Sequence, residues 1–368
     1  MDYSTQHSTR KALNGEVKMQ QKLLTIIVPS YNMEAYLRKN CDSLLIGGEE
    51  QEGVDVILVN DGSTDQTSAI AHEYATRFPT VFRVIDKANG HYGSCVNAGL
   101  SVAKGVYTKV LDADDYVDTE AFRVYVKTLA AEDAIGPIDF VISDWTKVDS
   151  DGKRFDLVHY PFPEGKITVF DIGSTWFDLH AIAYRTKLLH DMNYRQTEGC
   201  LYTDAEWFNH PLAFVEHVLY IPQCVTCYLL GREGQSMEEE TVVRNIGVAI
   251  QMVLNNMKAY QRVAEEIPLE RRLLQRERVF WRIVTVYAWC LLGVNGKIPE
   301  YDLEVFDNQV RQFDMDLYES VGKSVVKYKI LGIRIKFYYI QAWRKQQTRK
   351  TLSFWLYDKF RRSVKKCR

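Results

Sequence analysis

Leu24-Thr25-Ile26-Ile27-Val28-Pro29-Ser30-Tyr31-Asn32 is the first stretch of the chain with a clear structural signature. Val54-Asp55-Val56-Ile57-Leu58-Val59-Asn60-Asp61-Gly62 repeats it further on. Both are short runs dominated by β-branched and apolar residues, with little polar alternation, as a strand buried on both faces requires. Both end in a polar cluster. Between them, Tyr36, Leu37, Cys41, Leu44 and Leu45 lie on one side of a helix predicted over residues 34–45. The alternation continues with helical spacing at Ile70, Tyr74 and Phe78 and a strand over 81–85. A helix over 94–103 and a strand over 106–111 come next, then a helix over 120–132 and a strand at 140–142. This order predicts an α/β fold with a Rossmann-like, mostly parallel sheet and helices on both faces. Ligands of such sheets bind beyond the carboxyl ends of the strands. The clusters Ser30-Tyr31-Asn32, Asn60-Asp61-Gly62 and Asp112-Ala113-Asp114-Asp115 all fall there.

Outward from this core the pattern changes. Residues 146–175 read as irregular, with Pro161, Pro163 and several glycines; from about 239 to 294 the pattern is helical. The expected organisation is a flexible segment over 1–21, an α/β domain over 22–236, a C-terminal helical extension over 237–323 and a basic aromatic tail over 324–368. A chain of 368 residues exceeds what one compact core usually carries. Its 46% hydrophobic and 26% charged residues exclude a disordered protein. The net charge of -2 conceals an asymmetry. The tail holds fourteen Lys or Arg against Asp358 alone, a charge of +13, so the other 323 residues carry -15. A basic tail on an acidic body points to an anionic partner.

The seven scattered cysteines fit a reducing compartment better than a disulfide framework. Cys224 and Cys227 form a lone CxxC without the second pair a zinc site needs, and read as strand residues. The first 21 residues are polar, and the longest apolar run, near 283–294, is too short to span a bilayer. The expectation is a cytoplasmic protein.

Asp112 and Asp114 are one residue apart at a strand end, where alternate side chains share a face. Hard cations such as Mn²⁺ and Mg²⁺ take one or two carboxylates plus substrate phosphates; acidic clusters at strand ends are also often solvated turns. Asp61 can accept the imide N–H of uracil or thymine, or simply serve the turn that Gly62 permits. Asp65, just before the helix at Thr67, suits the cap role better. Tyr31 can lie against a base or ribose, or pack at the strand end. Loop amides in Asn89-Gly90-His91-Tyr92-Gly93, before a helix, can meet an anion. Asp204, in Leu201-Tyr202-Thr203-Asp204-Ala205-Glu206-Trp207, can act as a general base; Glu206 competes with it, and either can be a helix-start acid.

In order, Leu24–Asn32, Val59-Asn60-Asp61-Gly62-Ser63-Thr64-Asp65, Asn89 with Asn97-Ala98-Gly99-Leu100, Lys104-Gly105-Val106-Tyr107 and Leu111-Asp112-Ala113-Asp114-Asp115 resemble a family 2 glycosyltransferase. The match is tight over about 22–116 and looser to about Ser236. The resemblance implies a GT-A fold, a UDP-sugar donor, Mn²⁺ or Mg²⁺ and inversion at the anomeric carbon. It puts Pro29 and Tyr31 at the base pocket, Asp61 on uracil, Asp112 at the first DXD position, Asp114 on the metal and Asp204 as base. Three positions depart from the family pattern: Thr203 stands where the base motif usually has Glu, Val96 stands for a frequent Arg, and His91 stands for a frequent Gly. His91 or Arg232 can supply the polarity the phosphates then lack, and His180 can sit near the acceptor or pack as a core histidine.

In the tail, Leu352, Trp355, Leu356, Lys359, Phe360 and Ser363 follow helical spacing among basic residues. A basic amphipathic helix with aromatics suits an anionic membrane surface; the alternative is a terminal helix packed on the chain's own body. With a lipid-linked saccharide as acceptor, the expected role is surface polysaccharide or glycoconjugate synthesis from the inner face of the membrane. A non-catalytic nucleotide-sugar-binding protein is the alternative. No nucleic-acid partner is expected, because such a role leaves the carboxylate cluster unexplained.

Overall fold

The computed structural model describes residues 22–231, 241, 244–293, 300–330 and 333–365. Residues 1–21 and Arg232 therefore lie outside the described residues. The chain runs β1 (Leu24–Ser30), α1 (Leu37–Ser43), β2 (Val54–Asn60), α2 (Thr67–Arg77), β3 (Phe82–Asp86), α3 (His91–Ser101), β4 (Tyr107–Val110), β5 (Tyr116–Val117) and α4 (Thr119–Ile135). It continues through β6 (Phe140–Val148), β7 (Arg154–Val158), β8 (Gly165–Thr168), α5 (Val169–Ile172), β9 (Ile182–Arg185), α6 (Thr186–Asp191), α7 (Asp204–Asn209) and β10 (His217–Leu229). The C-terminal part holds α8 (Ile246–Val263), α9 (Leu269–Ala288), α10 (Glu300–Phe313), α11 (Met315–Gly322), β11 (Val326–Ile330), β12 (Ile333–Phe337), α12 (Tyr339–Gln346) and α13 (Leu352–Lys365).

The main sheet has the order β3-β2-β1-β4-β9-β6-β10-β5, with β7 paired to β6 and β8 to β10. Strands β3, β2, β1 and β4 are parallel, as the βαβ pattern predicts. Beyond them β9 enters antiparallel to both β4 and β6, so the whole sheet is mixed. β1 and β2 are buried throughout, and alternate residues feed opposite cores. Ile26, Val28, Val56 and Leu58 pack with α1, α2 and α4, while Ile27, Ile57 and Val59 pack with α3 and the aromatic residues around Trp207.

The stretch 146–175 is more regular than its sequence suggests. It holds β7, which folds back on β6, and β8. The apolar residues of β7 do alternate with polar ones, but Phe155 and Leu157 face solvent, so the run does not mark a core. Cys224 and Cys227 are strand residues of β10, as expected.

A third core lies within 246–354 and takes in part of the tail. Tyr339, Ile340, Trp343 and Phe354 are buried in it, and Arg344 pairs with Asp307 at 2.7 Å and covers the Tyr318 ring. The first half of the tail is therefore folded structure, whereas Leu352, Trp355 and Leu356 stay exposed on α13. Among the described residues no helix is long and apolar enough to cross a membrane.

Candidate functional site

The carboxyl ends of β1, β2 and β4 open into a pocket of about 990 Å³. Pro29, Tyr31, Asp61 and Asn89 line it together with His91, Asp112, Asp114, His180 and Asp204. These are nine of the twelve residues singled out in the sequence. Gly90 stands beside the pocket without lining it, Glu206 faces another cavity, and Arg232 lies outside the described residues.

Asp61 is almost fully buried. Its Oδ1 accepts from the Lys87 ammonium at 2.6 Å and from the Gly90 N–H at 3.0 Å, which fixes the carboxylate in place. The Cys95 thiol is pushed up to about 12, first by burial and then by the Asp61 charge. Tyr31 is about half exposed, so its ring is available as a surface. Asp65 accepts from the N–H groups of Thr67 and Glu34, the turn role expected of it, while Gln66 is the N-cap of α2.

Three carboxylates follow β4. Asp112 accepts a hydrogen bond from the Tyr92 hydroxyl at 2.7 Å. Burial, then the neighbouring Asp115 and Asp114 charges, raise its carboxyl to about 7. Asp115 is buried, accepts from the Leu229 N–H and lies 3.2 Å from Nδ1 of His180. Burial works against a charge on His180, but the Asp115 bond and the nearby Asp112 outweigh it and raise the pKa. His180 stacks on Tyr228 at 4.2 Å, and its carbonyl accepts from Lys109 and Thr226. Much of its bonding capacity is thus spent inside the wall of the pocket.

Asp204 opens α7 at the pocket. Burial raises its carboxyl above the ordinary aspartate range, with the Arg282 charge opposing. Thr203, at the position of the missing Glu, is fully buried and accepts from the Gln196 side chain at 2.9 Å. The Glu206 carboxylate accepts from the N–H and hydroxyl of Thr197 at 2.6 and 2.7 Å and from Asn255 at 3.3 Å. That bonding ties the loop before α7 to α8. Gly93 is needed for the same packing, because a Cβ there would lie 1.9 Å from the Thr197 carbonyl oxygen.

Three non-glycine residues on the pocket wall adopt positive φ: Asn32 at 54°, His91 at 63° and Tyr202 at 61°. Only two other described non-glycine residues do so, Asn193 and Gln347. Strain of this kind costs about 1–3 kcal/mol per residue and gathers where a site dictates the backbone. His91 therefore holds a conformation for which glycine is the natural residue, consistent with the glycine frequent there in the family pattern.

The sequence reading missed Arg282. It comes from α9 in the helical extension, lies 3.5 Å over the Trp176 ring and contributes to the pocket wall beside Asp204. The signal existed: Arg278 and Arg282 share a helical face with Val279, Ile283 and Val286, and cations on an apolar face have a reason to be there.

Comparison with known proteins accords with this geometry. The family described as Glycosyl transferase family 2 matches residues 25–189. An uncharacterized glycosyltransferase of Mycoplasma pneumoniae is 31% identical over 220 residues, 58% of this chain and 70% of that protein. The minor teichoic acid biosynthesis protein GgaB of Bacillus subtilis is 38% identical over 99 residues, 27% of this chain and 11% of that one. The crystal structure of S. aureus TarS superposes with a TM-score of 0.50 at 16% identity, over 85% of this chain and 60% of that chain, a likeness of fold. Ordered motifs, fold and relatives agree: the chain belongs to glycosyltransferase family 2.

Proposed function

We propose that this glycosyltransferase moves a sugar from a UDP-sugar to a hydroxyl of a saccharide or lipid-linked saccharide, with inversion, in surface polysaccharide or glycoconjugate synthesis. The observation that carries the proposal is that one pocket is lined by Asp61 together with Asp112, Asp114 and Asp204. At about 990 Å³ it has room for a nucleotide-sugar and part of an acceptor.

Asp61 would read uracil through its second carboxylate oxygen, with Pro29 and Tyr31 against the base and ribose. The Asn89-Gly90-His91 backbone at the start of α3 would meet the diphosphate. Asp204 would take the acceptor proton as the hydroxyl oxygen attacks the anomeric carbon; its raised pKa brings it nearer to a base that works close to neutrality. The anomeric carbon–oxygen bond would break on the opposite face and release UDP. Arg282 would keep Asp204 ionised.

A divalent cation fits the donor set. Among the described residues no group of three or more His, Cys, Asp or Glu side chains is placed to hold a metal ion by itself, so Asp114, with Asp112 beside it, would hold Mn²⁺ or Mg²⁺ jointly with substrate oxygens, the usual arrangement for these ions. Burial, and after it the Asp115 and Asp114 charges, raises Asp112, and a cation would offset that negative charge. Such an ion supplies charge stabilisation to a departing diphosphate.

The relative named for teichoic acid biosynthesis supports a polymeric, surface-directed product. The alternative, a nucleotide-sugar-binding protein without turnover, draws on Thr203 and on the sequestered Glu206. A panel of UDP-, GDP- and dTDP-sugars, assayed for nucleotide release with Mn²⁺, separates these readings. Release of UDP alone, with base discrimination relaxed in Asp61→Ala, is expected. Turnover of a GDP-sugar alone refutes the donor assignment, and UDP binding without release favours the alternative.

A further inference from the structure

A second cavity, of about 400 Å³, lies between the α6–α7 region and helices α8 and α9. Its wall carries five cationic side chains, Arg195, Lys258, Arg262, Arg278 and Arg282, against one carboxylate, Glu206. That carboxylate is already engaged by Thr197 and Asn255. Arg195 pairs with Glu198 at 3.2 Å on the exposed side. Lys258 and Arg262 are exposed and form no ion pair among the described residues.

The two inner arginines are the informative ones. Arg278 is 6% exposed; one terminal nitrogen donates to the Gly173 carbonyl at 2.6 Å, while its Nε and Nη1 meet no acceptor among the described residues. Arg282 is 9% exposed, and its Nε likewise meets none. Nε2 of His210 is also without a partner, and burial together with Arg262 lowers the His210 pKa to about 4, which keeps the ring neutral. Burying guanidinium donors without acceptors is costly, and a buried cluster of one sign costs more. A ligand with several acceptor oxygens and negative charge would remove both costs. Arginine forks match phosphate oxygens in particular.

We propose that this cavity is a binding site for a phosphate-bearing ligand, large enough for a diphosphate or a sugar phosphate. Except for Arg282, which lines both, its residues are not those of the donor pocket, so the inference does not depend on the donor assignment. A phosphorylated glycan and a free anion both supply this chemistry, and the probes below distinguish them. Through Arg282, occupancy of the cavity would reach Asp204.

Calorimetric titration of the full chain with inorganic phosphate, pyrophosphate and glucose 1-phosphate, each in EDTA, tests this. At least one probe should bind, and the double variant Lys258→Gln/Arg262→Gln, at exposed positions, should bind it at least tenfold more weakly while UDP binding with Mn²⁺ is unchanged. Arg278→Gln, checked for an intact melting transition, should lose binding further. Tighter binding of glucose 1-phosphate than of the free anions identifies a phosphorylated glycan as the ligand; the reverse order identifies the free anion. No binding of any probe, or equal binding by wild type and both variants, overturns the proposal.

Discussion

The Arg282 guanidinium lies 3.5 Å over the ring centroid of Trp176. One residue belongs to the helical extension and the other to the loop before β9, so the pair stacks the extension against the rim of the pocket. The contact holds a cation beside Asp204, whose carboxylate lowers the cost of burying it. Burial brings Arg282 down to about 9, so it remains charged at neutral pH.

This pairing fixes the direction of a pH effect. Under the proposed mechanism Asp204 acts as base only when ionised, so its raised pKa predicts an acid limb of kcat/KM above the ordinary aspartate range. Removing the Arg282 charge disfavours the carboxylate, so Arg282→Gln should move that limb to higher pH. Asp204→Asn should lower turnover by roughly 10²–10⁴-fold with little change in UDP affinity. A pH–rate profile of the three proteins checks this; an unmoved limb in Arg282→Gln removes the coupling.

His91 offers a stability test. Its φ of 63° penalises a side chain but not glycine. His91→Gly should stabilise the fold by about 1 kcal/mol, or about 1 °C in a chain of this size. If the melting temperature falls instead, the ring makes contacts worth more than the strain.

His210 gives a second pH dependence, of stability. Its folded pKa is lowered to about 4, against about 6.5 when unfolded. The unfolded chain then binds the extra proton first, so stability falls as the pH drops from about 6.5 toward 4, by up to ~3 kcal/mol. His210→Gln should flatten this part of the curve. Parallel curves for wild type and variant in chemical denaturation would refute it.

The tail makes a third case. Because Trp343 and Phe354 are core residues, cutting the chain after Gly322 would damage the extension as well as any membrane contact. The exposed Leu352, Trp355 and Leu356 are the cleaner target. If α13 lies on anionic membranes, replacing all three by Ser should weaken flotation with anionic liposomes at least ~tenfold. Equal flotation would leave α13 with no membrane role.

What the sequence made legible follows from what each residue has to do locally. β1 and β2 are buried on both faces, so their largely apolar composition announces them, while β4 is read from its flanking Val106 and Leu111 despite the buried Thr108 and Lys109; the polar residues at the strand ends mark the pocket. Asp61, Asp112 and Asp114 sit next to such a signal, whereas Asp204 opens α7 and is singled out by its partly apolar surroundings and by the family resemblance. Arg282 and Trp176 were not, since their meeting depends on how α9 docks against a loop about a hundred residues earlier. The antiparallel entry of β9 escaped for a similar reason: its apolar run is compatible with either direction, and only the path of 146–181 decides. Glu206 looked equivalent to Asp204 in sequence, yet two residues along α7, about 200° around the helix, its carboxylate meets Thr197 and Asn255 instead of the pocket.

Calorimetric binding of UDP with Mn²⁺, with Mg²⁺ and with EDTA, to wild type and to Asp114→Ala, is the most direct test of the donor site. UDP should bind wild type with a metal, weaken sharply in EDTA and fail to bind Asp114→Ala. Absence of UDP binding with either metal, or equal binding by Asp114→Ala, would contradict the assignment of this pocket to a metal-assisted UDP-sugar donor.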